Sequence, residues 1–117
     1  MSEMAHTFDV PLMSKARPRF AGGKVPYMPK EYMKWKKDLR ALMAEWWPDP
    51  PLEHVERIDL IFKGPARHDL DNLMGAVLDA GNDLIWCSDR CNVIPNLFGS
   101  WSKTKPTDSS IYLRVRW

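Results

Sequence analysis

The sequence contains few of the residues that support zinc, disulfide or nucleophile chemistry. Cys87 and Cys91 are its only two cysteines, and its three histidines, His6, His54 and His68, lack paired-ligand spacing. A structural zinc site closes with four nitrogen or sulfur ligands, so we predict no zinc and two reduced thiols. No serine or cysteine nucleophile constellation stands out, and the six glycines form no phosphate-binding fingerprint.

Long apolar runs are absent as well. No stretch approaches the roughly 20 residues that span a bilayer. The first seven residues have neither a basic start nor an apolar run, so we predict no signal peptide and a cytoplasmic location. The length of 117 residues suits one domain, which we expect to cover residues 1–117.

Hydrophobic periodicity predicts a small α/β (α+β) domain with two main helices and one mixed sheet. Predicted strands cover residues 7–12, 55–62 and 111–115, with short extended pieces at 84–87 and 93–98; a loop covers 13–29, and helices cover 30–47 and 71–80. The first helix should bury Tyr32, Trp35, Leu39, Leu42 and Trp46, and the second should bury Leu70, Leu73, Val77 and either Met74 or Leu78.

The segment from His68 to Leu73 is the most informative for chemistry. It contains Asp69 and Asp71, two residues apart, where a helix is predicted to begin. Residues two apart point the same way in extended chain, whereas on a helix they diverge. At such a junction both carboxylates can reach one hard cation such as Mg²⁺, which activates water against a phosphodiester.

A helix cap is the competing interpretation of this pair, because Asp is favoured at the first turn of a helix. Asp89, about twenty residues further on, adds a third carboxylate, although an isolated Asp of this kind is usually a turn residue. Asp79, towards the end of the second helix, is expected to be a solvated or capping acid.

Positive charge is concentrated in the N-terminal part of the chain. Residues 1–47 contain nine Lys/Arg and five Asp/Glu, whereas residues 48–117 contain eight and ten. A basic segment followed by an acidic one is typical of a polyanion clamp beside a metal site, although a solvated helix face has the same charge pattern.

Several motifs resemble the RusA family of crossover-junction endodeoxyribonucleases. The run Asp69-Leu70-Asp71-Asn72-Leu73, followed by Val77-Leu78-Asp79-Ala80 and an Asp-containing turn, is similar to the family's acidic motifs. The upstream run Lys15-Ala16-Arg17-Pro18-Arg19, with Tyr27-Met28-Pro29 and Tyr32, resembles its basic N-terminal loop. The similarity extends from about Pro11 to Arg116 with gaps.

The resemblance implies a metal site formed by Asp69, Asp71 and Asp89, with Mg²⁺ or Mn²⁺ as the cofactor. Family members usually have two adjacent Asp where this chain has Ser88-Asp89-Arg90. Counting forward from Trp86 places Asp89 at the second, metal-binding acid, and we prefer this register. Counting back from Val93 places it at the first acid.

A departure from the family pattern occurs at Gly75. Family members often have a catalytically important Lys four residues after the second Asp, one turn into the helix. A cation there would stabilise developing charge at the phosphate. Lys63, Lys103 or Lys105 could replace it, and the sequence does not distinguish among them.

The resemblance therefore implies a homodimeric, metal-dependent endonuclease that cleaves Holliday junctions in DNA recombination and repair, from a bacterium or a phage. A two-fold symmetric junction requires two nicks, which suits a dimer with one site per chain. Seven basic residues are expected to bind DNA phosphates: Lys15, Arg17, Arg19, Lys24, Lys30, Lys34 and Lys37. Gly75 and Ser88 favour the alternative, a branched-DNA-binding protein of the same fold with weak or no nuclease activity.

Overall fold

A computed structural model describes residues 1–16 and 27–117. The described residues form a two-layer α+β domain with two helices on one four-stranded mixed sheet, as the sequence predicts. The elements in chain order are β1 (Glu3–Phe8), α1 (Lys30–Trp46), β2 (Arg57–Gly64), α2 (Leu70–Gly81), β3 (Leu97–Lys103) and β4 (Ser110–Arg116), with a short 3-10 helix at Pro106–Asp108.

The sheet has the strand order β1-β4-β2-β3. β4 pairs antiparallel with both β1 and β2, while β2 and β3 are parallel. A parallel pair needs a crossover connection, and α2 lies within the one that joins β2 to β3. The first residues of α2 therefore follow the carboxyl end of β2.

Both helices pack on the same face of the sheet. Trp46 of α1 contacts His6 and Phe8 of β1, and Met74 of α2 lies against Gly99 of β3. A Cβ atom at Gly99 would lie 2.3 Å from Met74 Sδ, so a larger residue at this position would require the Met74 side chain to shift. The opposite face of the sheet, which we call the outer face, carries the alternate residues of each strand.

The buried stripes of the helices differ in part from the predicted ones. In α1 the buried residues are Tyr32, Trp35, Leu39 and Met43, whereas Leu42 is exposed and Trp46 is half-buried. In α2 they are Leu73, Ala76, Val77, Ala80 and Gly81, whereas Leu70 is exposed and both Met74 and Leu78 are half-buried. The helices bury small residues where they pack closely against other segments of the protein. A pattern of large hydrophobic residues does not indicate these positions.

Three predicted extended segments are displaced in the structure. β1 begins at Glu3 rather than near residue 7, because it pairs with β4 along its whole length. β3 begins at Leu97, after Pro95, so the segment 93–96 is a turn and a link. Residues 84–87 form a turn after α2 with isolated bridges at Trp86, not a strand.

Candidate metal and nucleic-acid site

Asp69 and Asp71 lie at the beginning of α2. Asp69 is the residue before the first helical turn, and its extended backbone (φ −82°, ψ 138°) differs from the helical conformation that follows. Its side chain makes no capping hydrogen bond. Asp71 lies in the first turn, and its Oδ1 accepts a hydrogen bond of 2.9 Å from the backbone N–H of Asn72. Both residues are exposed, so the pair is available to a ligand.

The segment before Asp69 is anchored to the N-terminal part of the chain. Ser14 Oγ lies 2.7 Å from His68 Nδ1, and the backbone N–H of Lys15 donates to the carbonyl of Asn72 at 3.0 Å. His68 Nε2 is buried and has no hydrogen-bond partner among residues 1–16 and 27–117. Burial and the nearby Arg67 charge lower the pKa of His68, which favours the neutral ring. These contacts fix the backbone that presents Asp69.

Asp89 lies in an irregular segment after the turn that follows α2. Asp89 is exposed. The residues on either side of it are in contact, since Ser88 Oγ accepts a hydrogen bond of 3.2 Å from the backbone N–H of Arg90. Across residues 1–16 and 27–117, no three His, Cys, Asp or Glu side chains are grouped so that they could hold a metal. The three predicted acids are therefore not gathered into one such group within the described chain.

The chemistry of the donors at the start of α2 nevertheless suits a hard divalent cation. Mg²⁺ usually takes one or two protein carboxylates and keeps several waters, so a complete set of protein ligands is not required. Asp69 and Asp71 form no ion pair within the described residues, so their charge is not neutralised there. These two carboxylates fit Mg²⁺ or Mn²⁺ as partial ligands.

The cysteines remain outside this site. Cys87 is half-buried and Cys91 is exposed, and neither forms a disulfide among the described residues.

Asp79 has a more specific role than the sequence indicates. The Tyr32 hydroxyl donates to Asp79 Oδ2 at 2.7 Å, and Lys36 Nζ lies 3.2 Å from the same oxygen. Partial burial opposes ionisation of this carboxyl, but those two partners and the Lys15 charge hold its pKa below the usual range. Asp79 therefore joins α1 to α2. Sequence reasoning missed it because its partners lie more than 40 residues away.

The predicted DNA-binding residues fall into two groups. Arg17, Arg19 and Lys24 lie outside the described residues. Lys15, Lys30, Lys34 and Lys37 are exposed. Lys34 Nζ lies 2.9 Å from Asp38 on the following turn, a solvent-exposed pair that contributes little to stability.

Lys15 also lies against the position where the family pattern predicts a lysine. A Cβ atom built on Gly75 would lie 3.1 Å from Lys15 Cδ and 3.6 Å from Lys15 Cβ. The absence of a side chain at Gly75 thus leaves room for the Lys15 stem along α2. The sequence offered Lys63, Lys103 and Lys105 as substitutes, and the contact with Lys15 was missed because 60 residues separate it from Gly75.

No helix in the described residues is long and apolar enough to cross a membrane. No curated protein matches the sequence. The sequence model of the family described as endodeoxyribonuclease RusA matches residues 9–108, which include α1, β2, α2, β3 and the acids at positions 69, 71 and 89. This match covers most of the 117-residue chain, and the chain belongs to the endodeoxyribonuclease RusA family.

Proposed function

We propose that the protein is a metal-dependent endonuclease that cleaves branched DNA of the Holliday-junction type during recombination or repair. Family membership supports nuclease chemistry on DNA. The observation that carries the proposal is the exposed pair Asp69 and Asp71 at the start of α2, with no cation of the described chain paired to either. Unpaired carboxylates held on a fixed backbone suit a divalent ion.

Asp69 and Asp71, together with Asp89, are the proposed ligands of Mg²⁺ or Mn²⁺. Such an ion polarises a phosphate and activates water when it is bound. Asp69 belongs to the extended link before α2, and Asp71 belongs to the first helical turn. The contacts of Ser14 with His68 and of Lys15 with Asn72 hold this junction in place. Water, a DNA phosphate or an acid of a second copy would complete the coordination.

The DNA-binding part of the proposal comprises Lys15, Arg17, Arg19, Lys24, Lys30, Lys34 and Lys37. These cations would neutralise backbone phosphates and would not read base sequence. We further propose a homodimer, because a two-fold symmetric junction needs two nicks. The protein would act in the cytoplasm of a bacterium, encoded by the host or by a phage.

The test is cleavage of a synthetic four-way junction in Mg²⁺ by Asp69→Asn and Asp71→Asn. We expect each variant to lose at least about 100-fold in cleavage rate, because the amide cannot supply the ligand charge. Junction binding should stay the same or tighten, since removing a carboxylate reduces repulsion of phosphates. Asp49→Asn, which changes an exposed acid after α1, is the matched control and should cleave normally.

Normal cleavage by either variant would refute the metal-site assignment. Gly75 favours one second candidate, a branched-DNA-binding protein with weak or no nuclease activity, because α2 has no lysine at this position. That candidate predicts that the wild-type protein binds the junction but does not cleave it in Mg²⁺ or Mn²⁺.

A further inference from the structure

A basic surface lies where α1 meets α2, and it adds Lys36 and Arg40 to the cations proposed from the sequence. Lys36, Lys37 and Arg40 line a shallow cleft of about 260 Å³ around the exposed side chain of Met33. Lys15 lies against Gly75 on α2, and its charge acts on Asp79, the partner of Lys36. We call Lys15, Lys36, Lys37 and Arg40 the basic seam.

Two of these cations also bind α2. Arg40 Nη1 donates to the carbonyl oxygens of Ala80 and Asn82, both at 2.7 Å. Lys36 Nζ lies 3.2 Å from Asp79 Oδ2, and this is the only acid among the described residues that pairs with the seam. Among the described residues, only one of the four cations is therefore paired with a carboxylate, and that carboxylate also accepts a hydrogen bond from Tyr32.

The seam is continuous with the acids at the beginning of α2. Lys15 bonds Asn72 through its backbone, and its stem crosses Gly75; Lys36 reaches Asp79, and Arg40 reaches Asn82. The ten steps from Asn72 to Asn82 span about 15 Å at the rise of an α-helix. This length corresponds to roughly four base-pair steps of a duplex.

We propose that the basic seam binds the sugar-phosphate backbone of the DNA segment that leaves the Asp69–Asp71 site, with Lys36 and Arg40 as phosphate ligands. The proposal rests on the proposed function. Excess positive charge matches a polyanion, and a surface of cations around one Met offers no base-reading pattern, so the contacts would be independent of sequence.

The test is the salt dependence of four-way-junction binding, measured by fluorescence anisotropy in EDTA so that cleavage does not interfere. Lys36→Gln and Arg40→Gln should each weaken binding by about 3- to 10-fold and lower the log–log salt slope by about one. Arg40→Lys, which keeps the charge, should keep the slope. Arg116→Gln removes one cation from the outer face and should leave the slope unchanged.

The Asp79→Asn variant distinguishes phosphate binding by Lys36 from a purely structural role of Lys36. This variant breaks the same contact with Lys36 but leaves the cation, so it should bind DNA as tightly as wild type or more tightly. If Asp79→Asn weakens binding as much as Lys36→Gln, or if both seam variants keep the wild-type slope, the proposal is wrong. The same holds if only an acidic peptide, and no DNA, competes for the seam.

The two proposals fail separately. If the protein cleaves junctions and the seam variants bind them with wild-type affinity and salt slope, only the seam proposal is wrong. A wild-type protein that binds the junction through the seam but does not cleave it would overturn the nuclease proposal alone.

Discussion

Asp59 and Asp79 have close cationic or hydroxyl partners, whereas Asp69, Asp71 and Asp89 face solvent without an ion pair inside the described chain. Asp59 is only 4% exposed on the outer face, where Arg57 Nε donates to it at 2.8 Å and Arg114 Nη2 at 2.9 Å. The charges of Asp59 and Asp79 are paired with cations of the same chain. The other three keep their charge available for a ligand.

This difference distinguishes acids that stabilise the fold from acids that are free to act. A buried carboxylate is tolerated only when it is paired, and Asp59 satisfies that condition through β2 and β4. An unpaired carboxylate at a helix beginning gains only a modest contribution from the helix dipole. Selective lack of partners at the start of α2 is therefore the feature that favours a ligand there.

The largest expected effect on stability comes from Asp59→Asn. An amide leaves two guanidinium groups without their carboxylate, and we expect a loss of about 2 kcal/mol because both arginines remain partly exposed. Asp69→Asn should cost less than about 1 kcal/mol, since Asp69 makes no capping hydrogen bond and loses only a modest interaction with the helix dipole. Urea unfolding of the two variants measures the contrast, and equal losses would contradict it.

The second prediction concerns acid unfolding. Burial opposes ionisation of Asp59, but the hydrogen bonds and charges of Arg114 and Arg57 hold its pKa below the usual range, and the pKa of Asp79 is also lowered. A lowered folded-state pKa gives stability that is present above about pH 5 and is lost as the pH falls through the unfolded value near 4 towards the folded one.

Wild-type stability should therefore decline from about pH 5 downwards, and Asp59→Asn should show a shallower decline. The gap between the two proteins should narrow as the pH falls, whereas Asp49→Asn should run parallel to wild type. Urea midpoints at several pH values between 2.5 and 6 provide the measurement. A constant gap would show that Asp59 contributes by packing and not by its charge.

The same contrast shows how far the sequence predicts this fold. Local signals placed α1 and α2 to within about a residue, because caps, prolines and periodicity are local. The alternation of residues in β2 puts Asp59 on the face opposite Ile58 and Leu60. It could not show that Asp59 is buried, because Arg114 lies 55 residues away.

The candidate site was predictable to a similar extent. The position of Asp69 and Asp71 at the helix beginning is confirmed, and the absence of a side-chain cap at Asp69 removes the competing interpretation for that residue. The contacts of Lys36 and Arg40 with α2 depend on how two helices cross, and the contact of Lys15 depends on how an irregular segment packs against α2. No spacing in the sequence reports that geometry.

The smallest expected effect comes from Gly75→Lys, which adds a cation one turn beyond the unpaired Asp71. The new Cβ would lie 3.1 Å from Lys15 Cδ, and this exposed, flexible stem can move by the few tenths of an ångström required. Replacing a helical glycine should gain up to about 1 kcal/mol of stability. The new ammonium should raise Mg²⁺-dependent junction cleavage severalfold by stabilising charge at the phosphate. Gly75→Gln gives the same helix gain without charge, so equal cleavage by the two variants would show that a cation at this position is not limiting.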